Sequence, residues 1–451
     1  MQIEPSNPSV DVVITGAGPA GVVLALQLQR TGLSVCLLGV PRRFDALEGM
    51  AERARKGFEV AGCSQALATL GPLVGRVATW SGEQFDGNRE YLVERQAFDQ
   101  ALWCDASDAG IAVVESRVKD VEWLESDRLW RVKHDGGSCC ARYWVEARGR
   151  SAPRSALQQR APATVALAAW WQSKPNAPIA GVHTLPQGWV WYARLVDGRL
   201  SAQIFLDAKD APSRSAIEAF YLAQLADSDA LRPILAEAKR IGEPVARGAS
   251  LTLSEPLIDD TCARVGDAAL ALDPLAGHGQ FEAVGSALAL ASCISTLLQK
   301  PEDSAAARQF YRERMSGDYL AMARNGRDFY AMEKRWADKT FWLNRSRWPD
   351  DKPSHPAPEV GVGSIERRPV SVAGYIREQY VVVCPDQPRG VWQIDGVPLL
   401  PLLQQVRHYS VLSPEKVAEF AAVCEWPDAS VVRAVHWLGG RGLLTLQPPN
   451  V

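Results

Sequence analysis

Asp11-Val-Val-Ile-Thr-Gly-Ala-Gly-Pro-Ala-Gly21 is the stretch that decides the fold. An apolar run enters Gly16-x-Gly18-x-x-Gly21, and Val22, Val23, Ala25, Leu26 and Leu28 follow at helical spacing before Gly32. Leu33-Ser-Val-Cys-Leu-Leu38 then reads as a second, parallel strand. A glycine triplet between a strand and a helix is the β-α-β setting of a dinucleotide cradle. Gly16 permits the tight turn, Gly18 lets a pyrophosphate approach the backbone, and Gly21 lets helix and strand pack closely. The unpaired N–H groups of the helix start would then face the phosphates. The alternative is a glycine-rich turn with no ligand. One part is missing: the acid that should close the second strand and hold the ribose is replaced by Gly39. Asp45, Glu48 or the pair Arg42–Arg43 stand nearby, and the sequence does not choose among them.

Composition limits what such a cradle can serve. The chain has 451 residues, 49 basic against 52 acidic, for a formal charge of −3. That balance argues against a nucleic-acid or anionic-membrane binder. A hydrophobic share of 47% with 22% charged is that of an ordinary globular protein. The start has neither a basic segment nor an apolar core, so no signal peptide is expected, and no run of about 18 apolar residues marks a membrane span. The nine cysteines form no C-x-x-C, and no two of the six histidines take helical metal-ligand spacing, so free thiols in a reducing cytoplasm and no metal site are expected. Tryptophan, at 15, outnumbers both phenylalanine at 11 and tyrosine at 10. That excess fits plain packing, or large flat surfaces for a cofactor or aromatic substrate.

A second glycine motif lies far downstream, in Arg264-Val-Gly-Asp-Ala-Ala-Leu-Ala-Leu-Asp-Pro-Leu-Ala-Gly-His-Gly-Gln-Phe-Glu-Ala-Val-Gly-Ser-Ala-Leu-Ala-Leu290. A strand ends at Gly266-Asp267, a loop carries Pro274, Gly277 and Gly279, and a small-residue helix begins near Gly279. A glycine-rich loop ahead of a helix start is an anion site.

Gly-Asp, six residues, Pro, then Gly-x-Gly resembles the second FAD fingerprint of the flavoprotein aromatic hydroxylases and flavin-dependent halogenases. The resemblance implies that Asp267 binds the ribityl chain and that Pro274, Gly277, His278 and Gly279 pack by the flavin ring. Tyr91-Leu-Val-Glu-Arg-Gln-Ala-Phe-Asp-Gln-Ala-Leu102 resembles that family's Arg-x-x-Phe-Asp-x-x-Leu helix start, which implies that Arg95 reaches the FAD phosphates. Arg142-Tyr-Trp-Val-Glu-Ala-Arg-Gly-Arg-Ser151 resembles its third motif, and Val118 falls where the family contacts adenine through backbone. The likeness covers about residues 9–345.

Departures from the family bear on the chemistry. Hydroxylases that use NAD(P)H carry Asp-Gly in the third motif, where this chain has Arg148-Gly149. That implies reduction by a separate reductase or by weakly bound NAD(P)H. The halogenase Trp-x-Trp-x-Ile-Pro survives only as Trp189-Val-Trp191, and Gly71 to Trp80 holds Arg76 but no lysine. Hydroxylation is therefore favoured over halogenation. The family's chemistry joins reduced flavin and O2 in a C4a-hydroperoxide, which an electron-rich ring attacks. His278 or Glu282 is expected to take up the ring's proton, with His278 alternatively a loop hydrogen-bonder. Asp273 reads equally as a turn or cap residue.

Between the flavin motifs, Gly188 to Leu206 reads as two strands joined at Asp197-Gly198, a two-residue hairpin signal. Thr164 to Gln172 reads as a further strand, and Ser213 to Ala226 as a helix. This would be the family's substrate sheet, with Trp171, Trp189 and Trp191 at the substrate, or else tryptophans packing a helix behind the sheet.

Phe329 to Arg345 reads as one aromatic, basic helix. Its Glu333, Arg335, Trp336, Phe341-Trp342 and Arg345 resemble a branch that matures quinone cofactors, as in quinohaemoprotein amine dehydrogenase, where the substrate is a Trp side chain of another protein. The proline-rich Trp348 to Pro358 marks a linker. Helices are expected from Val397 to Tyr409, from an N-cap at Ser413 with Pro414 and Glu415 next, and from a cap at Asp428 to Gly439-Gly440, followed by a strand at Leu443 to Leu446. The positive Arg407, Lys416, Arg433 and Arg441 are matched by Glu415, Glu419, Glu425 and Asp428, so protein or peptide docking is preferred to DNA, with a lid or dimer contact as the alternative.

The sequence thus predicts an α/β protein: a Rossmann-type FAD-binding domain (residues 1–160 and 255–348), an inserted antiparallel-sheet substrate domain (161–254), a linker (349–396) and a small, mainly helical, winged-helix-like module (397–451). The predicted function is FAD-dependent monooxygenation of a tryptophan in a partner protein during tryptophylquinone biogenesis. The rivals are a halogenase or hydroxylase of a small aromatic metabolite, and a non-enzymatic flavin-bearing maturation chaperone.

Overall fold

The computed structural model describes residues 10–42, 44–155, 157–406, 421–422 and 426–444. The chain divides into two compact units, residues 1–295 with 315–352, and residues 296–314 with 353–451.

The first unit opens with the predicted β-α-β. Strand Val10–Thr15 runs into helix Pro19–Arg30, and Val35–Gly39 returns parallel to it. Val12, Val13 and Ile14 are fully buried, as expected of a parallel strand covered on both faces. The parallel order Ala112–Glu115, Val35–Gly39, Val10–Thr15, Gly137–Glu146 continues on one side into an antiparallel hairpin, Val118–Leu124 with Leu129–His134. The last residues of Gly137–Glu146 also pair in parallel with Cys262–Arg264. This last pairing brings the second glycine motif beside the first.

The second sheet has eight strands in the order Lys239–Gly248, Thr164–Gln172, Arg199–Asp207, Gly188–Arg194, Ile179–Leu185, Leu73–Trp80, Glu83–Glu94, Leu47–Met50. Three of these come from residues 47–94, inside the segment assigned to the FAD domain. The join is the parallel pairing of Leu73–Trp80 with Ile179–Leu185, where Val77 meets Gly181. No local pattern announces a pairing between such distant segments. The Asp197-Gly198 hairpin forms, but its turn is wider than two residues. Leu195 N–H donates to Arg199 O, Gly198 N–H donates to Leu195 O, and Gly198 takes φ +87°. The helix expected from Ser213 starts at Ile217.

The sheet has two buried faces. Trp189, Trp191 and Ala193 pack on one side with Trp80, Tyr330, Phe341 and Trp342. Val190, Tyr192 and Trp171 pack on the other with Tyr221 and Leu225 of helix Ile217–Ala226. The single helix expected over Phe329 to Arg345 is broken. Helix Ser304–Ala331 ends, the chain turns, and a short helix Thr340–Arg345 follows. Glu333 explains the break: its buried carboxylate accepts from Ser81 N at 2.9 Å and from Arg335 N at 2.9 Å, which draws the chain off the helix axis. Helix Gly279–Gln299 is long and apolar enough to cross a membrane, but 72% of its apolar window is buried inside the protein, as in a core helix. Among the described residues, eight cysteines are free thiols and no cluster is suited to a metal ion.

In the second unit, the segment expected as linker carries a three-stranded antiparallel sheet, Ser364–Val372, Tyr375–Cys384 and Gln387–Val391. Val382, Leu399, Leu402, Val431, Val435 and Leu438 form its core with helices Leu399–Val406 and Asp428–Gly440. Val397–Pro398 is a short strand, so that helix begins two residues later than expected. Pro427 holds the N-cap expected of Asp428, the second helix runs through Gly440, and Leu443 and Leu444 lie in a bend. Tyr409, the Ser413–Pro414–Glu415 start, Arg407, Lys416, Glu419, Glu425 and the strand end at Leu446 lie outside the described residues.

Candidate active site

The glycines of the first cradle are fixed by contact. Gly16 takes φ +121°, and a Cβ there would stand 2.3 Å from the carbonyl of Ala147. A Cβ on Gly21 would stand 1.9 Å from Gly16 O, whereas Gly18 has nothing within 4 Å. Two glycines therefore close the turn, and the third faces open space of the kind a phosphate takes. Gly39 is excluded from carrying any side chain, because its Cβ would stand 2.5 Å from Ala17 Cβ. That is the steric reason the ribose acid is absent. Of its named substitutes, Glu48 accepts two bonds of 2.8 Å from Arg95 and Arg42 donates to Asp99 at 2.8 Å. Asp45 faces Arg199 at 4.0 Å, and Arg43 lies outside the described residues. Ser116 N–H donates to Gly39 O at 2.8 Å and Val118 opens the next strand, so Gly39 and Val118 share one corner.

The remaining motifs converge on the same place. A Cβ on Gly266 would meet Ala20 Cβ, in the first helix turn, at 2.7 Å, and one on Gly149 would reach Asp267 Cβ at 3.8 Å. Asp267 lies 3.3 Å from Arg150. Burial raises the Asp267 pKa, and Arg150 opposes that rise. Arg148, which stands where the family has an acid, is held by the buried carboxylate of Glu146 at 2.9 Å. Arg95 is itself buried and also donates to Asp99 at 2.9 Å, so its guanidinium braces two carboxylates. Gln280 Nε2 donates to Glu48 at 3.0 Å and ties the second cradle's helix to that brace, while its buried Oε1 has no partner among the described residues.

After strand Leu270–Ala271 comes the loop Pro274–Ala276, then Gly277 at φ +63°. Asp273 caps it by accepting from Leu275 N at 3.0 Å, which bears out the cap reading of that residue. His278 follows, its pKa pushed down to about 4 by burial and by the charges of Arg53 and Arg76. Glu282, which is buried, donates its N–H to His278 O at 2.9 Å, which brings the two candidate bases within one turn.

An aromatic wall faces this loop. Trp189 stacks on Phe205 with centroids 3.9 Å apart, and its Nε1 donates to the Tyr330 hydroxyl at 3.4 Å. Tyr330 in turn donates to Asp273 at 2.9 Å. Trp191 Nε1 donates to buried Glu90 at 3.2 Å, and Glu90 lies 3.6 Å from Arg76. Trp171 is not part of this wall. It lies on the opposite face of the sheet, with Nε1 3.3 Å from Tyr221 OH, because it sits in the other alternation class.

The lycopene cyclase protein family matches residues 11–168. Over 96% of this chain and all of the other, the fold superposes at a TM-score of 0.83 and 37% identity on QhpG, a peptidyl tryptophan dihydroxylase essential for tryptophylquinone cofactor biogenesis.

The chain belongs to the flavin-dependent hydroxylase and halogenase superfamily. The flavin-dependent halogenase CmlS shares the fold at a TM-score of 0.72 and 18% identity, over 96% of this chain and 93% of its own. The tryptophan 2-halogenase of Chondromyces crocatus is 24% identical over 368 residues, 74% of this chain and 70% of the relative. The protein is thus an FAD-dependent oxidoreductase of the monooxygenase class, and its residues fit that group: an open Gly18, two helix starts and, among the described residues, a buried Gln280 Oε1 without a partner.

Sequence reading missed Asp273–Tyr330 and Arg76–Glu90–Trp191 as units of this flavoenzyme's site. Each joins elements far apart in the chain, and only the apolar run Tyr91-Leu-Val just after Glu90 hinted at burial. The tail residues serve the scaffold: Arg345, nearly fully buried, donates to Asp207 at 3.2 Å and to Thr164 at 2.9 Å. Arg335 donates to Thr184 at 2.6 Å and lies over the Trp336 ring at 4.0 Å.

Proposed function

We propose that this flavoenzyme hydroxylates a tryptophan side chain of a partner protein during maturation of a tryptophylquinone cofactor. The observation that carries this reading is the 37% identity with a peptidyl tryptophan dihydroxylase over the full length of that protein. Its electrons come from NAD(P)H or a separate reductase, its oxygen from O2, and its free thiols suit a reducing cytoplasm.

Bound FAD would supply the reducing equivalents that activate O2. Gly16, Gly18 and Gly21 hold its phosphates at a helix start, with Val118 at the adenine end. Asp267, steadied by Arg150, holds the ribityl chain. Arg95 acts by fixing Glu48 and, through it, Gln280 at the start of the second helix. Pro274, Gly277, His278 and Gly279 form the backbone against which the ring lies. Trp189, stacked on Phe205, and Trp191 exclude water on this side of the loop, and an incoming indole would pack against their wall. His278 is neutral at physiological pH, so its ring can accept the proton that the substrate carbon loses, with Glu282 one turn away as the alternative acceptor.

The test is intact mass. The loaded enzyme is incubated with a reductant, O2 and a tryptophan-containing partner subunit. A gain of one or two oxygen atoms on one tryptophan is expected. No gain, with turnover of a free phenol or halide instead, would overturn the reading.

A further inference from the structure

Glu90 sits where a carboxylate is costly. It is 7% exposed, on strand Glu83–Glu94, beside a wall made largely of aromatic and aliphatic side chains. A buried carboxylate persists only when its lone pairs are used. Oε1 accepts the indole N–H of Trp191 at 3.2 Å. Oε2 faces Arg76 at 3.6 Å, beyond hydrogen-bond distance. Room for that oxygen comes from Gly49, where a Cβ would stand 2.3 Å from it. Arg76 is also incompletely used: among the described residues its buried Nε has no partner.

This under-used pair adjoins the catalytic loop. Arg76 Nη1 lies 3.7 Å from the position a Cβ on Gly277 would take, and Glu90 is one contact of 3.6 Å further on. The carboxylate therefore stands one arginine side chain away from the loop against which the flavin ring is placed. It also already performs one recognition act, accepting an indole N–H from within the protein. A phenol or phenyl ring offers no N–H at that place, and a hydrogen bond from indole to an anionic acceptor moves electron density into the ring, which favours electrophilic attack on it.

We propose that Glu90 is the specificity-determining acceptor for the N–H of the substrate indole, with Arg76 holding its charge and Trp191 occupying its other oxygen. This deepens the proposed tryptophan hydroxylation and rests on that reading. It explains why the wall carries a charged pair at all, where aliphatic residues would pack at lower cost.

Binding tests this apart from turnover. Indole and 1-methylindole, which lacks the N–H, are titrated calorimetrically into the FAD-loaded enzyme and into its Glu90→Gln and Glu90→Met variants. FAD absorbance and the unfolding midpoint show whether each variant is folded. A hydrogen bond to a charged group is worth about 1.5–3 kcal/mol, so wild type should prefer indole by roughly 10- to 100-fold. That preference should shrink in Glu90→Gln and fall to about twofold or less in Glu90→Met. If wild type binds both probes equally, binds neither, or if folded Glu90→Met keeps the preference, Glu90 is not the acceptor. If Glu90→Met does not fold, Glu90→Gln decides alone, and an undiminished preference there overturns the proposal. Failure here leaves the mass gain on a partner tryptophan untouched, and absence of that gain leaves the indole preference to stand or fall separately.

Discussion

The hydroxyl of Tyr330 donates a 2.9 Å hydrogen bond to Oδ2 of Asp273, whose other oxygen caps the loop that begins at Pro274. One side chain thereby fixes both the end of the long helix Ser304–Ala331 and the entry to the loop Pro274–Ala276. Burial pushes the pKa of Asp273 up and that of Tyr330 well up, so the pair is sensitive to the loss of either partner. Tyr330→Phe should cost about 1–3 kcal/mol, the penalty for a buried acceptor left unsatisfied. The loop should loosen with it, so FAD affinity should fall as well. Thermal unfolding of the apoprotein and fluorescence titration with FAD check both effects, and an unchanged midpoint would show that water replaces the hydroxyl.

Restoring the missing acid at the end of the second strand should harm the protein. Gly39→Asp places a Cβ 2.5 Å from Ala17 Cβ and 3.0 Å from Ala17 N, both inside the first cradle. Neighbouring backbone cannot yield as a flexible side chain would, and overpacking costs about 1–3 kcal/mol. The variant should fold with a lowered midpoint and lose FAD on gel filtration, read from the ratio of flavin to protein absorbance. Full FAD retention would show that the turn has slack.

How far the sequence anticipates this architecture depends on the reach of each interaction. The β-α-β around Gly16 and the strand Thr164–Gln172 are legible because a strand, a turn and a helix write their pattern locally. The turn at Gly266-Asp267 is legible for the same reason, since a short strand, Cys262–Arg264, runs straight into it. The strands Leu73–Trp80 and Glu83–Glu94 are hidden because their membership of the second sheet rests on pairing across about a hundred residues. The sheet at Ser364–Val372 is hidden because it follows the proline-rich Trp348 to Pro358 and reads as part of that linker, although its strands pair from Ser364↔Val383 to Val372↔Tyr375. Trp171 is misplaced for a simpler reason: the strand Thr164–Gln172 carries Trp170 and Trp171 side by side, and parity sends them to opposite faces.

His278 predicts a pH dependence of the apoprotein. Its pKa is lowered from 6.5 to about 4 in the folded chain, chiefly by burial. Between those values the unfolded chain binds the extra proton and the folded chain does not. Stability attributable to His278 is therefore fully present above about pH 6.5 and declines as the pH falls towards 4. His278→Gln should flatten that part of the stability profile without changing the plateau at neutral pH by more than a few tenths of a kcal/mol. Urea unfolding at intervals from pH 4 to 7 measures it, and an unaltered slope in the variant would assign the dependence to other groups.

The buried pair of Arg345 and Asp207 gives the largest expected effect on stability. Their side chains are 3% and 4% exposed and lie 3.2 Å apart, and Arg345 also donates to Ala163 O and Thr164 Oγ1 at 2.9 Å each. Asp207 accepts in addition from Lys209 N at 3.0 Å, which starts the chain's departure from the sheet. Removing one member leaves the other's charge buried and uncompensated, at a cost of about 3–5 kcal/mol. Arg345→Met should fall in that range, and Asp207→Asn at its lower end, since the amide keeps an acceptor for Arg345 and loses only the charge. The double variant should recover part of the loss, because no unpaired charge remains. A cycle of urea unfolding on the four proteins reads the coupling. Strict additivity would mean that the two side chains act independently and that Arg345 is held by its backbone acceptors alone.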